Sequence, residues 1–122
     1  MEIPKSGYEI KSVKRVPGIN PAIIIELIED EEFDLNVALD DFSSHFQKAL
    51  ETMSSQKLYR EENALIDDNG EKCFEIKSVG SNLIGITVCK AKTKEIQLED
   101  FLEAYARKLE KEISKGGKNE RN

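Results

Sequence analysis

The feature that most constrains the fold is a repeat: the hexapeptide YEIKSV at residues 8–13 returns as FEIKSV at residues 74–79. The match continues along the chain with one gap, in which residues 14–21 of the first copy are replaced by Gly80. It aligns residues 25–27 with 84–86, residues 37–42 with 96–101, and Phe46, Lys48 and Leu50 with Tyr105, Arg107 and Leu109. Because the agreement keeps its order through strand-like and helix-like segments, we interpret the chain as an internal duplication.

Each copy has the pattern of three strands followed by a helix. In the first copy, strands are predicted at residues 8–13 and 22–28, and the alternation of apolar and polar residues at 33–38 predicts a third. A helix follows from about Asp40, with Phe42, Phe46, Ala49, Leu50 and Met53 on one stripe. The second copy predicts strands near 72–79, 83–90 and 94–98, and a helix from about Glu99 to Ser114 that ends at Gly116 and Gly117.

These elements predict an α+β fold. Asp68-Asn69-Gly70 is a hairpin-turn signal that joins a short strand, residues 64–66, to the strand starting at Lys72. We expect a two-layer sandwich, an antiparallel sheet of six or seven strands with two helices on one face, whose halves are related by a pseudo-twofold axis. A single domain spans residues 1–115, with pseudo-repeats at 8–53 and 72–115, and residues 116–122 form a mobile C-terminal tail.

The apolar residues of the second hairpin predict its register. Directly opposed residues share a face of the sheet, so Phe74 must lie opposite Val88 for both to face the core. This register requires a three-residue loop, residues 80–82. It also sets Cys73 opposite Cys89 on the outer face, where we expect two ordinary thiols.

Composition limits the classes of function. The chain has 122 residues, of which 39% are hydrophobic and 34% charged, values typical of one globular domain. A net charge of −6 argues against nucleic acid as a partner. No secretory signal precedes residue 8, and the apolar run at 22–25 is too short to span a bilayer. We therefore expect a cytoplasmic protein that does not bind membranes.

Motifs for catalysis and for cofactors are missing from the sequence. It contains no Gly-rich phosphate loop, nucleophile elbow, HExxH or CxxC, and its two cysteines and one histidine are too few for a zinc site. The pairs Asp40-Asp41 and Glu99-Asp100 lie at predicted helix starts, where carboxylates cap free N–H groups. His45 flanks the apolar stripe, so we interpret it as a half-exposed rim residue. The sequence predicts a protein that is not an enzyme and has no metal or cofactor.

The candidate binding feature is an acidic segment composed of Glu29, Asp30, Glu31, Glu32 and Asp34. It lacks the ligand spacing and the turn glycine of a calcium loop, and it suits either a solvated turn or a basic partner. We predict a small acidic protein-binding module of the inhibitor, immunity or antitoxin type. Its broad profile is similar to that of bacterial immunity proteins and antitoxins, which cover basic nuclease surfaces with carboxylates, although no motif assigns it to a family.

A second interpretation is a small-ligand-binding or regulatory domain with a pocket near the pseudo-twofold axis, between the sheet and the helices. The residues available to line this pocket are Phe42, His45, Phe46, Phe101 and Tyr105. Aromatic residues in such positions also suit an ordinary core. The strand at residues 8–13 would in addition be available to pair with a second copy of the chain in a homodimer.

Overall fold

The computed structural model describes residues 8–29, 33–54, 57–90 and 97–121. In chain order its elements are β1 (Tyr8–Val16), β2 (Ala22–Glu29), α1 (Leu35–Met53), β3 (Tyr59–Glu61), β4 (Ala64–Ile66), β5 (Lys72–Gly80), β6 (Leu83–Val88) and α2 (Leu98–Arg121). The strands of this described part form one six-stranded antiparallel sheet in the order β1-β2-β6-β5-β4-β3. The predicted α+β class is confirmed.

β2 and β6 lie side by side in the middle of the sheet. Both are rich in β-branched residues, which fit a pleated surface that is covered by other side chains. In β2, Ile23, Ile25 and Leu27 are fully buried, whereas the alternate residue Ile24 is only half-buried. Ile25 pairs directly with Ile84 of β6. The alternation therefore directs one face of the central strands into the core.

The predicted third strand of the first copy, residues 33–38, is wrong, and so is a helix start at Asp40. α1 begins at Leu35, because the Oδ1 atom of Asp34 accepts hydrogen bonds from the backbone N–H groups of Asn36 (3.0 Å) and Val37 (3.3 Å). This N-cap satisfies two donors that a helix start leaves free. Residues 34–38 therefore continue into the helix.

α2 also departs from the prediction at both ends. It begins at Leu98, the last residue of the predicted strand 94–98, while residues 94–96 lie outside the described residues. Glu99 and Asp100 are in its first turn, as predicted. The helix extends to Arg121, past Gly116 and Gly117, because two glycines weaken a helix by only about 1 kcal/mol each. The mobility of the tail at 116–122 stays a prediction.

The register of the β5–β6 hairpin is confirmed. Phe74 pairs with Val88, and the N–H of Cys89 donates to the carbonyl oxygen of Cys73 (2.8 Å). The loop prediction is wrong, because Gly80 pairs with Leu83 and only two residues connect the strands. A bulge between Ser78 and Gly80 adds one unpaired residue to β5. The bulge therefore gives the register that a three-residue loop was expected to give.

The segment between the repeats contains one predicted strand and one unpredicted strand. β4 (Ala64–Ile66) pairs with β5 as expected, across a turn in which Asp67 Oδ1 accepts from the N–H groups of Asn69 and Glu71, both at 2.9 Å. Gly70 has a φ of +80°, which glycine adopts without strain. β3 was missed because its sequence, YRE, carries no apolar alternation.

Phe46 of α1 is at the centre of the core. Its ring centroid lies 4.8 Å from that of Phe74, 5.1 Å from that of Phe101 and 4.8 Å from that of Tyr105. These residues come from β5 and α2, and all are buried. One side chain of α1 therefore contacts both the sheet and the second helix.

We expect Phe42→Ala and Phe101→Ala each to lower the free energy of unfolding by roughly 3–5 kcal/mol, because each removes a buried ring and leaves a cavity. Val37→Ala is the matched control in the same part of α1, since Val37 is 45% exposed and its loss should cost less than about 0.5 kcal/mol. Urea unfolding of the three variants measures the effect. A phenylalanine variant within about 1 kcal/mol of the parent would contradict this description of the core.

Candidate functional site

The structure brings together the residues proposed to line a ligand pocket. The ring of Phe46 contacts the rings of Phe101 and Tyr105, and Phe42, Phe46 and Tyr105 are fully buried. These contacts are those of a packed core. A ligand entering here would have to separate rings whose centroids are about 5 Å apart. The loss of this packing opposes ligand binding at this place.

His45 joins the two helices through a hydrogen bond. Its Nδ1 atom is 2.7 Å from the hydroxyl oxygen of Tyr105, and His45 itself is half-buried. A buried tyrosine hydroxyl requires a polar partner, which this contact supplies. The expected half-exposed position of His45 is confirmed, while its bond to Tyr105 was not predicted.

The acidic segment lies between β2 and α1. Glu29 is the exposed last residue of β2, and Asp34 is the exposed N-cap of α1. Asp30, Glu31 and Glu32 lie outside the described residues. Since the Asp34 carboxylate already caps the helix, it contributes to any partner contact only with its remaining acceptor capacity.

The acid pairs assigned to helix starts differ between the two helices. Because α1 begins earlier than predicted, Asp40 and Asp41 lie beyond its first turn and do not cap it. Asp40 forms an ion pair with Arg60 of β3, which also donates to Ser44 Oγ (3.0 Å). Burial, and then the charge of Asp40, raise the pKa of Asp41. Asp40, but not Asp41, therefore attaches β3 to α1.

Arg15 fastens β1 to α2 through two carboxylates. Its guanidinium donates from Nε (2.8 Å) and Nη2 (2.9 Å) to Glu103, and from Nη1 (2.7 Å) and Nη2 (2.8 Å) to Glu110. Arg107 adds a further bond to Glu103 at 2.9 Å. Planar guanidinium–carboxylate forks of this kind are the strongest of the side-chain ion pairs. We call this arrangement the Arg15 clasp.

The Arg15 clasp shifts the acidity of its carboxylates. Hydrogen bonds from Arg15, and then from Arg107, lower the pKa of Glu103 to about 2. The hydrogen bond from Arg15 also lowers the pKa of Glu110. Because both pKa values are depressed in the folded protein, the stabilisation is complete above the ordinary glutamate pKa of 4.5 and is lost as the pH falls toward 2.

We expect Arg15→Ala to lower the free energy of unfolding by about 1 kcal/mol at neutral pH, the upper end for exposed ion pairs. The difference in the free energy of unfolding between the variant and the parent should shrink as the pH falls from 4.5 toward 2, because Glu103 becomes protonated in the parent over this range. Urea unfolding across this range measures it. Lys14→Ala removes an adjacent exposed cation that forms no ion pair with the described residues, so it should show no such pH dependence.

A groove of about 320 Å³ lies beside the Arg15 clasp, between the β1–β2 loop and the start of α2. Its apolar lining residues are Val16, Pro17, Pro21, Ala22 and Leu102, together with the edge of the buried Ile23. Its charged lining residues are Glu99, Asp100, Glu103 and the cation Arg15, whose guanidinium is already bound to Glu103 and Glu110. We call this feature the loop groove. The sequence patterns did not indicate it, because it depends on a long-range contact between the two halves.

The two cysteines are adjacent but differ in burial. Cys73 is fully buried and Cys89 is half-buried, and both are free thiols. Burial raises the pKa of Cys73 to about 11, and burial is also the main cause that raises the pKa of Cys89. Two ordinary thiols were expected on the outer face, whereas the Cys73 thiol is closed off from solvent. Thiols with raised pKa values are poor nucleophiles at neutral pH.

We expect a short iodoacetamide pulse at neutral pH to alkylate Cys89 first, with Cys73 reacting more than about 100-fold slower because its thiolate is scarce and enclosed. Mass spectrometry of the pulsed protein counts the alkylated sites. Cys89→Ser should leave only the slow thiol, and urea should make both thiols of the parent reactive. Equal rates in the folded parent would contradict the burial of Cys73.

β1 forms one edge of the sheet, with no strand on its outer side among the described residues. An irregularity between Ile10 and Ser12 interrupts its ladder at Lys11, and Lys14 adds a second exposed lysine. Bulges and lysines at an edge discourage pairing with another chain. The homodimer through residues 8–13 stays a prediction.

Neither a metal site nor a membrane-spanning helix is present in the part of the chain that the structure describes. There, no three His, Cys, Asp or Glu side chains are grouped so that they could hold a metal ion. No helix in the same ranges is long and apolar enough to cross a membrane. Comparison with protein-family models, with curated proteins and with solved structures finds no match to this chain.

Sequence reasoning missed the Arg15 clasp, although one signal was present. Glu103 and Glu110 are seven positions apart, close to two helical turns, and therefore lie on one face of α2. Two glutamates on one stripe indicate a shared cation. Only the fold shows that this cation is Arg15, which is 88 residues from Glu103 and 95 residues from Glu110 in sequence.

Proposed function

We propose that this chain is a non-catalytic module that binds a basic surface of another protein. The observation that carries the proposal is an excess of exposed carboxylates without an ion-pair partner among the described residues. They are Glu9, Glu29, Asp34, Glu51, Glu61, Glu62, Asp68, Glu99 and Asp100. With a net charge of −6, the chain has a surface that attracts a cationic partner.

An inhibitor of the immunity or antitoxin type is the form of binding that this chemistry suits best. Surface carboxylates speed the approach of a basic partner and set its orientation, and they can cover cationic residues that the partner uses on its own substrate. Such a protein needs no catalytic group of its own. The free thiols of Cys73 and Cys89 favour a reducing compartment, and we propose the cytoplasm.

The alternative, a ligand-binding domain whose pocket is lined by Phe42, His45, Phe46, Phe101 and Tyr105, has less support. Phe46 already contacts three other rings, and the His45 imidazole is bonded to Tyr105. Opening this region would cost those contacts before a ligand supplied any of its own. We therefore favour recognition through the surface.

We also propose that the fold is an internally duplicated two-layer sandwich with a pseudo-twofold axis. In support, Phe74 of the sheet contacts both Phe46 of α1 and Phe101 of α2. Two pairs of residues that the repeat makes equivalent also contact each other: Ile25 pairs with Ile84, and Phe46 contacts Tyr105. Equivalent residues meet in this way when they lie on a twofold axis. Related sequences in which residues 22–39 and 81–98 have no mutual similarity would contradict the duplication.

Affinity capture tests the function with charge-reversal variants as bait. We expect the parent to retain a protein with a basic surface and to release it at about 1 M salt, where the Debye length is about 3 Å. Glu29→Lys with Asp30→Lys should reduce capture of the same protein at least about tenfold. The matched control, Glu51→Lys with Glu61→Lys, changes the net charge equally and should retain it.

Two results would contradict the proposal. One is a captured protein whose retention does not respond to salt. The other is equal loss in both double variants, which would mean that net charge alone produces the capture. Identification by mass spectrometry, followed by an activity assay of the captured protein with and without this chain, then tests the inhibitory role.

A further inference from the structure

The loop between β1 and β2 exposes apolar side chains to solvent. Ile19 is 98% exposed and Val16 is 42% exposed. Pro17 and Pro21 fix the backbone near the two ends of this loop, and Gly18 adopts a φ of +149° between them. A large aliphatic side chain held in water on a restrained loop loses little conformational entropy when a partner covers it.

The loop groove begins at residues that flank Ile19 in the β1–β2 loop, and more than half of its lining residues are apolar. Val16, Pro17, Pro21 and Leu102 line this concave space of about 320 Å³, and Ile19 lies between Pro17 and Pro21 in sequence. That volume is at the lower end of the range for a bound small molecule and suits one long side chain of a protein partner.

The rim of the loop groove determines the charge of its occupant. Glu99 and Asp100 are exposed and form no ion pair with any residue in the described ranges. Glu103, on the same rim, is already held by Arg15 and Arg107. Glu99 and Asp100 complement the α2 dipole, and their outward oxygens keep acceptor capacity for a cation.

We propose that Ile19 and the loop groove form a docking surface for a segment of a partner protein in which an apolar residue neighbours a lysine or arginine. The apolar residue covers Ile19 and Val16. The methylene stem of the basic residue lies in the groove, and its charged head reaches Glu99 and Asp100. This inference rests on the proposed function and adds a second contact with the basic partner, at the Ala22 end of β2, whereas Glu29 is at the other end of that strand.

Charge complementarity excludes the other occupants of this surface. A phosphate backbone or an acidic peptide would meet the carboxylates of Glu99 and Asp100. A second copy bound across a twofold axis would place the same acidic rim against itself. A basic segment is the occupant that places opposite charges in contact while covering Ile19.

Peptide titrations of the full chain, followed by backbone amide shifts in NMR, test this surface. The probe is the blocked hexapeptide Gly-Leu-Arg-Leu-Arg-Gly. One control replaces its leucines with glycine, and the other replaces its arginines with glutamate. We expect the probe to shift amides at residues 16–22 and 98–103 with a Kd on the order of 10 mM or below, as a small flexible ligand allows. Neither control should produce this pattern.

Substitutions then separate the two parts of the surface. Ile19→Ser changes a side chain that contacts solvent, so the fold should be unaffected while the Kd rises roughly tenfold. Glu99→Gln with Asp100→Asn keeps the shapes and removes the charges, and the Kd should rise roughly threefold or more. The matched control, Glu51→Gln with Glu61→Gln, should leave the Kd unchanged. Thermal melts verify that every variant is folded.

The outcomes distinguish this inference from the proposed function. Shifts confined to Glu29, Asp34 and their neighbours would overturn the loop groove and leave a basic partner as the proposed target. Equal shifts with the glycine-arginine control would also overturn the loop groove, since charge alone would then explain binding. No shift with either arginine peptide would overturn the loop groove, while the salt response in the affinity capture would still decide the proposed function. A dimer in sedimentation that Ile19→Ser abolishes would assign the surface to a second copy and overturn the basic occupant.

Discussion

The pairing of β2 with β6 is the contact on which the rest of the structure depends. It joins the β1–β2 hairpin to the four strands of the second half, and without it the six strands would form two separate sheets. Apolar residues on one face of both strands, such as Ile25 and Ile84, form the floor on which the core is built. Phe46 then contacts that core and α2 together, so the sheet and both helices are stabilised as one unit.

The sequence predicts the register of the β5–β6 hairpin, because side-chain direction in a strand alternates strictly, and it predicts most of the core residues of the two helices from their apolar stripes. Phe74 opposite Val88 follows from that rule alone. The start of α1 was missed because residues 33–38 fit both the two-residue period of a strand and the 3.6-residue period of a helix. The N-cap Asp34 selects the helix. The surfaces could not be predicted. Neither the Arg15 clasp nor the loop groove has a local pattern, since each joins residues about 80 or more positions apart.

The carboxylates of the described residues fall into two groups, those that form ion pairs within the fold and those that form none. The Arg15 clasp occupies Glu103 and Glu110, and Lys90 similarly binds Asp67 (2.6 Å) and Glu71 (3.1 Å) at the start of β5. The hydrogen bond that Lys90 donates is the main cause that lowers the pKa of Asp67. These exposed pairs contribute modestly to stability, but they hold loops and helix ends in fixed positions. The exposed carboxylates outside these pairs lie on a scaffold whose loops and helix ends are held in place in this way.

The central position of β6 has a consequence during synthesis on the ribosome. β1 and β2 emerge early and can form a hairpin, but the inner edge of β2 has no partner until residues about sixty positions later have been made. At about 5–20 residues per second, the AIIIELIE strand spends several seconds with open backbone groups and an uncovered apolar face. The nascent chain is therefore most prone to aggregate in that interval. Slower translation between residues 30 and 88 would lengthen that interval.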